Sequence, residues 1–152
     1  MPSIELSRVR AAPGAVATVS ATFNSAGAGI VGAQNDIVFD PGLVAVAATA
    51  GGKPDCTVNP QIQKPGTAFS FLPPGCRSGI AESCIGVRAL VLSLSDVTPI
   101  PNGSVLYSCR LQVASKVTSG TAKLSVRRVG FSGPTGQAID GVGVDGAVAI
   151  GQ

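Results

Sequence analysis

The chain has 152 residues, 45% of them hydrophobic and only 12% charged, with a mean hydropathy of +0.40. It is long enough to bury a core as one domain spanning 1–152, and too apolar to be disordered. Its net charge of +3 comes from 11 Lys and Arg spread along the sequence against 8 acids, without the clustering of a nucleic-acid footprint, so no nucleic-acid partner is expected. The longest apolar runs break within about ten residues, too short for a membrane-crossing helix, and no membrane insertion is expected.

Helical periodicity is scarce. Short alternating or apolar runs stand between turn-forming clusters, and they are read as strands. In chain order these are 3–11 (SIELSRVRA), 15–24 (AVATVSATFN), 32–40 (GAQNDIVFD), 43–50 (LVAVAATA), 56–62 (CTVNPQI), 68–72 (AFSFL), 86–94 (GVRALVLSL), 104–113 (SVLYSCRLQV), 121–131 (TAKLSVRRVGF) and 145–151 (DGAVAIG). The connectors AAPG, DPG, AGGKPD, PPG, PIPNGS and SGPTG use the fixed φ of Pro and the freedom of Gly. Nine or ten strands at this spacing predict an all-β chain folded as a two-sheet sandwich or barrel.

Alternation assigns faces. In 104–113, Val105, Tyr107, Cys109, Leu111 and Val113 form the core side, and Ser108, Arg110 and Gln112 the other. In 15–24, Ala17, Val19, Ala21 and Phe23 oppose Val16, Thr18, Ser20 and Thr22. The run 86–94 breaks the rule. Val87, Ala89 and Val91 share one face, yet Arg88, Leu90 and Leu92 leave the other largely apolar too. Adjacent Arg127 and Arg128 are expected on opposite faces, not in one basic patch.

Chemistry-bearing residues are sparse. There is no His, so general acid–base work would fall to Glu5, Asp36, Asp40, Asp55, Glu82, Asp96, Asp140 and Asp145, which are scattered with no glycosidase-like pair. No enzyme is expected. There is no Trp, and the one Tyr alternates with core residues, which disfavours a sugar-stacking platform. The turns DIVFDPG (36–42) and DGVGVDG (140–146) could offer oxygens to a structural calcium, but the second lacks the full EF-hand pattern and its Asp-Gly suits a hairpin, so they are read as turns; no cofactor is otherwise expected.

Cys56, Cys76, Cys84 and Cys109 lie at spacings of 20, 8 and 25, which suit neither zinc knuckles nor redox pairs. Two disulfides are favoured over free thiols. Three connectivities are open, with Cys76–Cys84 and Cys56–Cys109 preferred. Disulfides point to a secreted or cell-surface protein. The opening MPSIELSRV lacks an apolar h-region and is not expected to be a signal peptide, so an exported form would have lost its leader.

The order of these pieces resembles the cohesin domain, the dockerin-binding module of scaffolding proteins, in a divergent, non-cellulosomal form. The likeness runs through APGAVATVSATF, GIVGAQNDIVFDPGLVAV, VRALVLS, PIPNGSVLYSCRLQV and DGAVAIG, with FDPGLV (39–44) its most specific element. It implies a nine-stranded jelly-roll-like sandwich, without catalysis, that binds a dockerin-type domain of another secreted protein on one sheet face. Such a partner would carry calcium in its own EF-hand-like loops. By this resemblance Gln34, Asp36, Arg88, Leu90, Leu92, Lys123 and Arg127 make the binding face, an apolar centre with a polar rim. Asn35 falls on an inward position and must find hydrogen-bond partners or cost about 1–3 kcal/mol. A carbohydrate-binding module with a polysaccharide partner, or a structural or adhesin domain of a larger surface protein, are the competing readings.

Overall fold

The computed structural model describes residues 1–151. The opening run divides at Ser7 into β1 (Ser3–Leu6) and β2 (Arg8–Ala11), because the chain leaves one sheet there and enters the other. β3 (Val16–Asn24) and β4 (Gly32–Val38) follow. The DPG turn then forms as expected, with Asp40 Oδ1 accepting from the Gly42 N–H at 2.9 Å, and leads into the short β5 (Val44–Val46). β6 (Cys56–Val58) ends in a 3-10 turn at Pro60–Ile62 capped by the Asn59 side chain. β7 (Ala68–Leu72), β8 (Gly86–Val91), β9 (Val105–Val113) and β10 (Gly120–Ser132) complete the middle of the chain.

The last segment differs from the expectation of one short strand and a hairpin turn. It holds β11 (Ala138–Asp140), β12 (Val142–Val144) and β13 (Gly146–Ile150). β11 pairs with β10, β12 crosses to pair with β1, and β13 returns to β10. The two Asp-Gly steps are therefore sheet crossings. Glycine is required there by close approach: a Cβ at Gly141 would run into the Phe131 ring, and one at Gly146 would stand 2.5 Å from the Ser7 carbonyl oxygen.

The strands form a two-sheet sandwich of the jelly-roll-like kind expected. One sheet runs β12-β1-β3-β9-β5, with β6 also on β9; the other runs β2-β13-β10-β4-β8-β7, with β11 also on β10. Most pairs are antiparallel, but β1–β12 and β2–β13 are parallel. The inward rows meet between the sheets. Ala17, Val19, Ala21 and Phe23 of β3 and Tyr107, Cys109, Leu111 and Val113 of β9 are buried, facing Ile37, Val87, Ala89, Val91, Leu124 and Val126. Each large apolar side chain buried this way contributes about 1.5–3 kcal/mol. Phe23 and Phe131 close the core between the sheets, ring centroids 5.6 Å apart.

Asn35 does point inward. Its Oδ1 accepts from the Tyr107 hydroxyl at 2.7 Å, while its Nδ2 is buried with no partner. Burial pushes the Tyr107 phenol well above its ordinary pKa, so it stays a neutral donor. Both preferred disulfides are present. Cys56–Cys109 ties directly opposed residues of β6 and β9, and Cys76–Cys84 closes the loop between β7 and β8.

Candidate functional site

The outer face of the seven-stranded sheet is built by β4, β8 and β10. Register fixes its rows: Asp36 lies opposite Arg88 on β8 and Arg127 on β10, and Gln34 lies opposite Leu90 and Gly130. Pairing keeps opposed side chains on one side of a sheet. Gln34, Asp36, Arg88, Leu90, Lys123 and Arg127 thus share this face, and Leu92 continues it just past the end of β8.

Their environments differ. Gln34, Lys123 and Arg127 are exposed, whereas Leu90 and Leu92 are half-buried. Leu92 is overlain by the loop preceding β7: a Cβ at Gly66 would stand 2.7 Å from Leu92 Cδ1, and the Leu92 N–H donates to Thr67 Oγ1 at 3.3 Å. That loop is held by Lys64, which is 2% exposed and whose Nζ donates to the Thr98 carbonyl at 2.8 Å. Leu90 has no such cover and sits between Gln34 and Ala68.

Asp36 is 5% exposed although it faces outward, because two arginines lie over it. Arg88 holds it bidentately, Nε–Oδ1 2.8 Å and Nη2–Oδ2 3.0 Å, and Arg128 Nε approaches Oδ2 at 3.8 Å. The hydrogen bond and charge of Asp36 raise the Arg88 guanidinium pKa further, so Arg88 stays charged. A second acid, Asp145, accepts from the Val126 N–H at 2.8 Å and pairs with Lys123 at 3.3 Å and Arg127 at 3.7 Å. That backbone hydrogen bond first, then the two cations, hold its carboxyl below the usual carboxylate range. Both carboxylates thus turn their oxygens to donors of the protein itself.

Arg128 corrects the alternation argument. The β10–β4 register shifts between Arg127 and Gly130, and Arg128 adopts φ 52°, a β-bulge. The extra residue turns Arg128 outward beside Arg127, so both arginines serve one face. Only the register with β4 reveals this; nothing in the local sequence distinguishes it.

Two shallow depressions run along the face and share Gln34, Leu90 and Val129. One, about 420 Å³, also touches Leu92 and Ile139, and the other, about 460 Å³, also touches Asp36, Arg88 and Arg128. Leu92 and Ile139 thus lie toward one end of this surface and the Asp36, Arg88 and Arg128 cluster toward the other. Among the described residues no group of three His, Cys, Asp or Glu comes together, and no helix is long and apolar enough to cross a membrane.

No protein-family model matches the chain, and no curated protein matches it. Solved structures do. The seventh ScaB type I cohesin from Pseudobacteroides cellulosolvens shares 18% identity at a TM-score of 0.74, covering 98% of this chain and 91% of that one. The sixth cohesin of scaffoldin B from Acetivibrio cellulolyticus, solved in complex with a dockerin, shares 15% at a TM-score of 0.75 and covers 98% of each chain. A non-cellulosomal cohesin from the archaeon Archaeoglobus fulgidus shares 15% at a TM-score of 0.68, covering 99% and 91%. At these identities the likeness is one of fold: this chain has the cohesin fold.

Proposed function

We propose that this chain, built on the cohesin fold, is a non-catalytic interaction module that docks a dockerin-type domain on the outer face of its seven-stranded sheet. The observation that carries the reading is Leu90, half-buried but open to both depressions, at the centre of a face whose rim is Gln34, the Asp36–Arg88 pair, Lys123 and Arg127. An apolar centre ringed by polar side chains supports protein docking. The likeness to structures solved with dockerins bound supports the class of partner. The two disulfides support a secreted or cell-surface setting.

Calorimetric titration with purified, calcium-loaded dockerin domains tests the reading. Leu90→Asp and Arg127→Glu should each weaken binding more than about tenfold, or 1.4 kcal/mol, with the melting temperature nearly unchanged. Wild-type protein that ignores every dockerin but is retained on insoluble polysaccharide overturns it in favour of carbohydrate binding. That alternative has weaker support, because Tyr107, the flat ring a sugar would stack on, is buried in the core.

A further inference from the structure

Basic residues dispersed in the sequence gather in space. Arg8 and Arg10 of β2 lie opposite Ala147 and Ala149 of β13, and Ala147 in turn lies opposite Lys123 of β10. They therefore stand on the same outer face as Arg88, Arg127 and Arg128. Six of the 11 basic residues occupy this face with three of the 8 acids, Asp36, Asp145 and, opposite Gly130 on β11, Asp140. The face carries a net +3, and the remainder of the chain is neutral.

The six cations are not equivalent. Arg88 and Arg128 are drawn onto Asp36, and Lys123 and Arg127 onto Asp145. Arg8 and Arg10 are exposed and make no ion pair among the described residues. Between them and Lys123 the floor is the two alanines of β13, which fill no space above the sheet. Adjacent strands lie about 5 Å apart, so this flat strip is roughly 10 Å wide with cations along both margins. A partner brought against it meets uncompensated positive charge, which attracts an acidic surface and repels a basic one.

We propose that this face selects a partner domain whose docking surface is net negative, and that Arg8 and Arg10 are its specificity-determining cations, extending the contact beyond the β4–β8–β10 centre. The proposal rests on the docking reading above. Because the determining charges are exposed, they act mainly on the rate of encounter and are screened by salt.

The test is stopped-flow association with individually purified, calcium-loaded dockerin domains encoded in the same genome. The dockerin that binds should present a net negative docking surface, and its association rate should fall at least about tenfold between low and high salt. The double variant Arg8→Glu/Arg10→Glu should lower that rate about tenfold, leave dissociation within about twofold and keep the fold by circular dichroism, while Arg8→Lys/Arg10→Lys behaves like wild type. If Leu90→Asp abolishes binding but the Glu double variant does not slow it, or if the rate is indifferent to salt, the charge proposal falls and the docking reading stands. Equal charge-dependent binding of a short single-stranded DNA would overturn partner selection, leaving a general polyanion surface. If no dockerin binds, both readings fall.

Discussion

Tyr107 and Asn35 meet across the core in a half-satisfied pair: one hydrogen bond at 2.7 Å, one amide nitrogen with no partner. Removing only the hydroxyl strands the whole amide, whereas replacing both polar groups removes the desolvation cost altogether. Tyr107→Phe should therefore destabilise by about 1–3 kcal/mol, and Asn35→Leu/Tyr107→Phe should lie near wild type or above it. Urea denaturation of the three proteins measures this, and a double variant weaker than Tyr107→Phe would refute it. The inward aim of Asn35 was legible from period-2 counting, as was the outward aim of Gln34, Asp36 and Arg88. Its partner was not, because Tyr107 lies 72 residues away in the other sheet. Lys64 was equally opaque: a lysine between proline and glutamine suggests a solvated loop, and only the fold brings the Thr98 carbonyl to it.

Among the elements, β6 depends most on a covalent tie. It is three residues long, pairs only with β9, and is followed by a long excursion over 59–85 before β8 begins. The Cys56–Cys109 bond, with a sequence separation of 53, removes much of the unfolded chain's freedom there. Cys56→Ala/Cys109→Ala should cost about 2–5 kcal/mol, and Cys76→Ala/Cys84→Ala, with a separation of 8, should cost less. Comparing the two melting temperatures checks the order; a larger loss from the shorter link would contradict it. Strand existence was readable wherever alternation ran uninterrupted, as in β3. In β9 the facing slipped at its start, where Val105, expected inward, is half-buried and Leu106 fills the core because the register with β3 shifts there. Legibility failed where a strand changes partner: at Ser7, at the β10 bulge, and at the Asp-Gly steps around β12. Such changes are set by what the opposite strand offers, not by the side chains at the break.

Taken whole, the molecule gathers its net positive charge on one face, where acids such as Asp145 answer the cations, and acidity tests that arrangement. The folded-state pKa of Asp145 is depressed, so its contribution is fully present above the unfolded carboxylate value near 3.9 and is lost as pH falls through the lower folded value. Asp96 acts in the same direction, its carboxylate held by the hydroxyl and N–H of Thr98. Stability should be level at neutral pH and decline in acid, and Asp145→Asn should begin lower yet decline less steeply. Urea midpoints followed from neutral to about pH 2.5 would show it, and parallel curves would exclude the role given to Asp145. The basic face itself was invisible in the linear order of charges, since Arg8, Arg88 and Arg127 come from three distant segments that only the strand order assembles.

The two parallel pairs, β1 with β12 and β2 with β13, set how the domain bears tension. A force that draws the first strands one way and the last strands the other lies along those pairs, so their hydrogen bonds are loaded together, in shear. They cannot be peeled apart one by one as in an antiparallel hairpin pulled from its open end. Stretched between its two ends, the domain should yield in one abrupt step and stay rigid until it does.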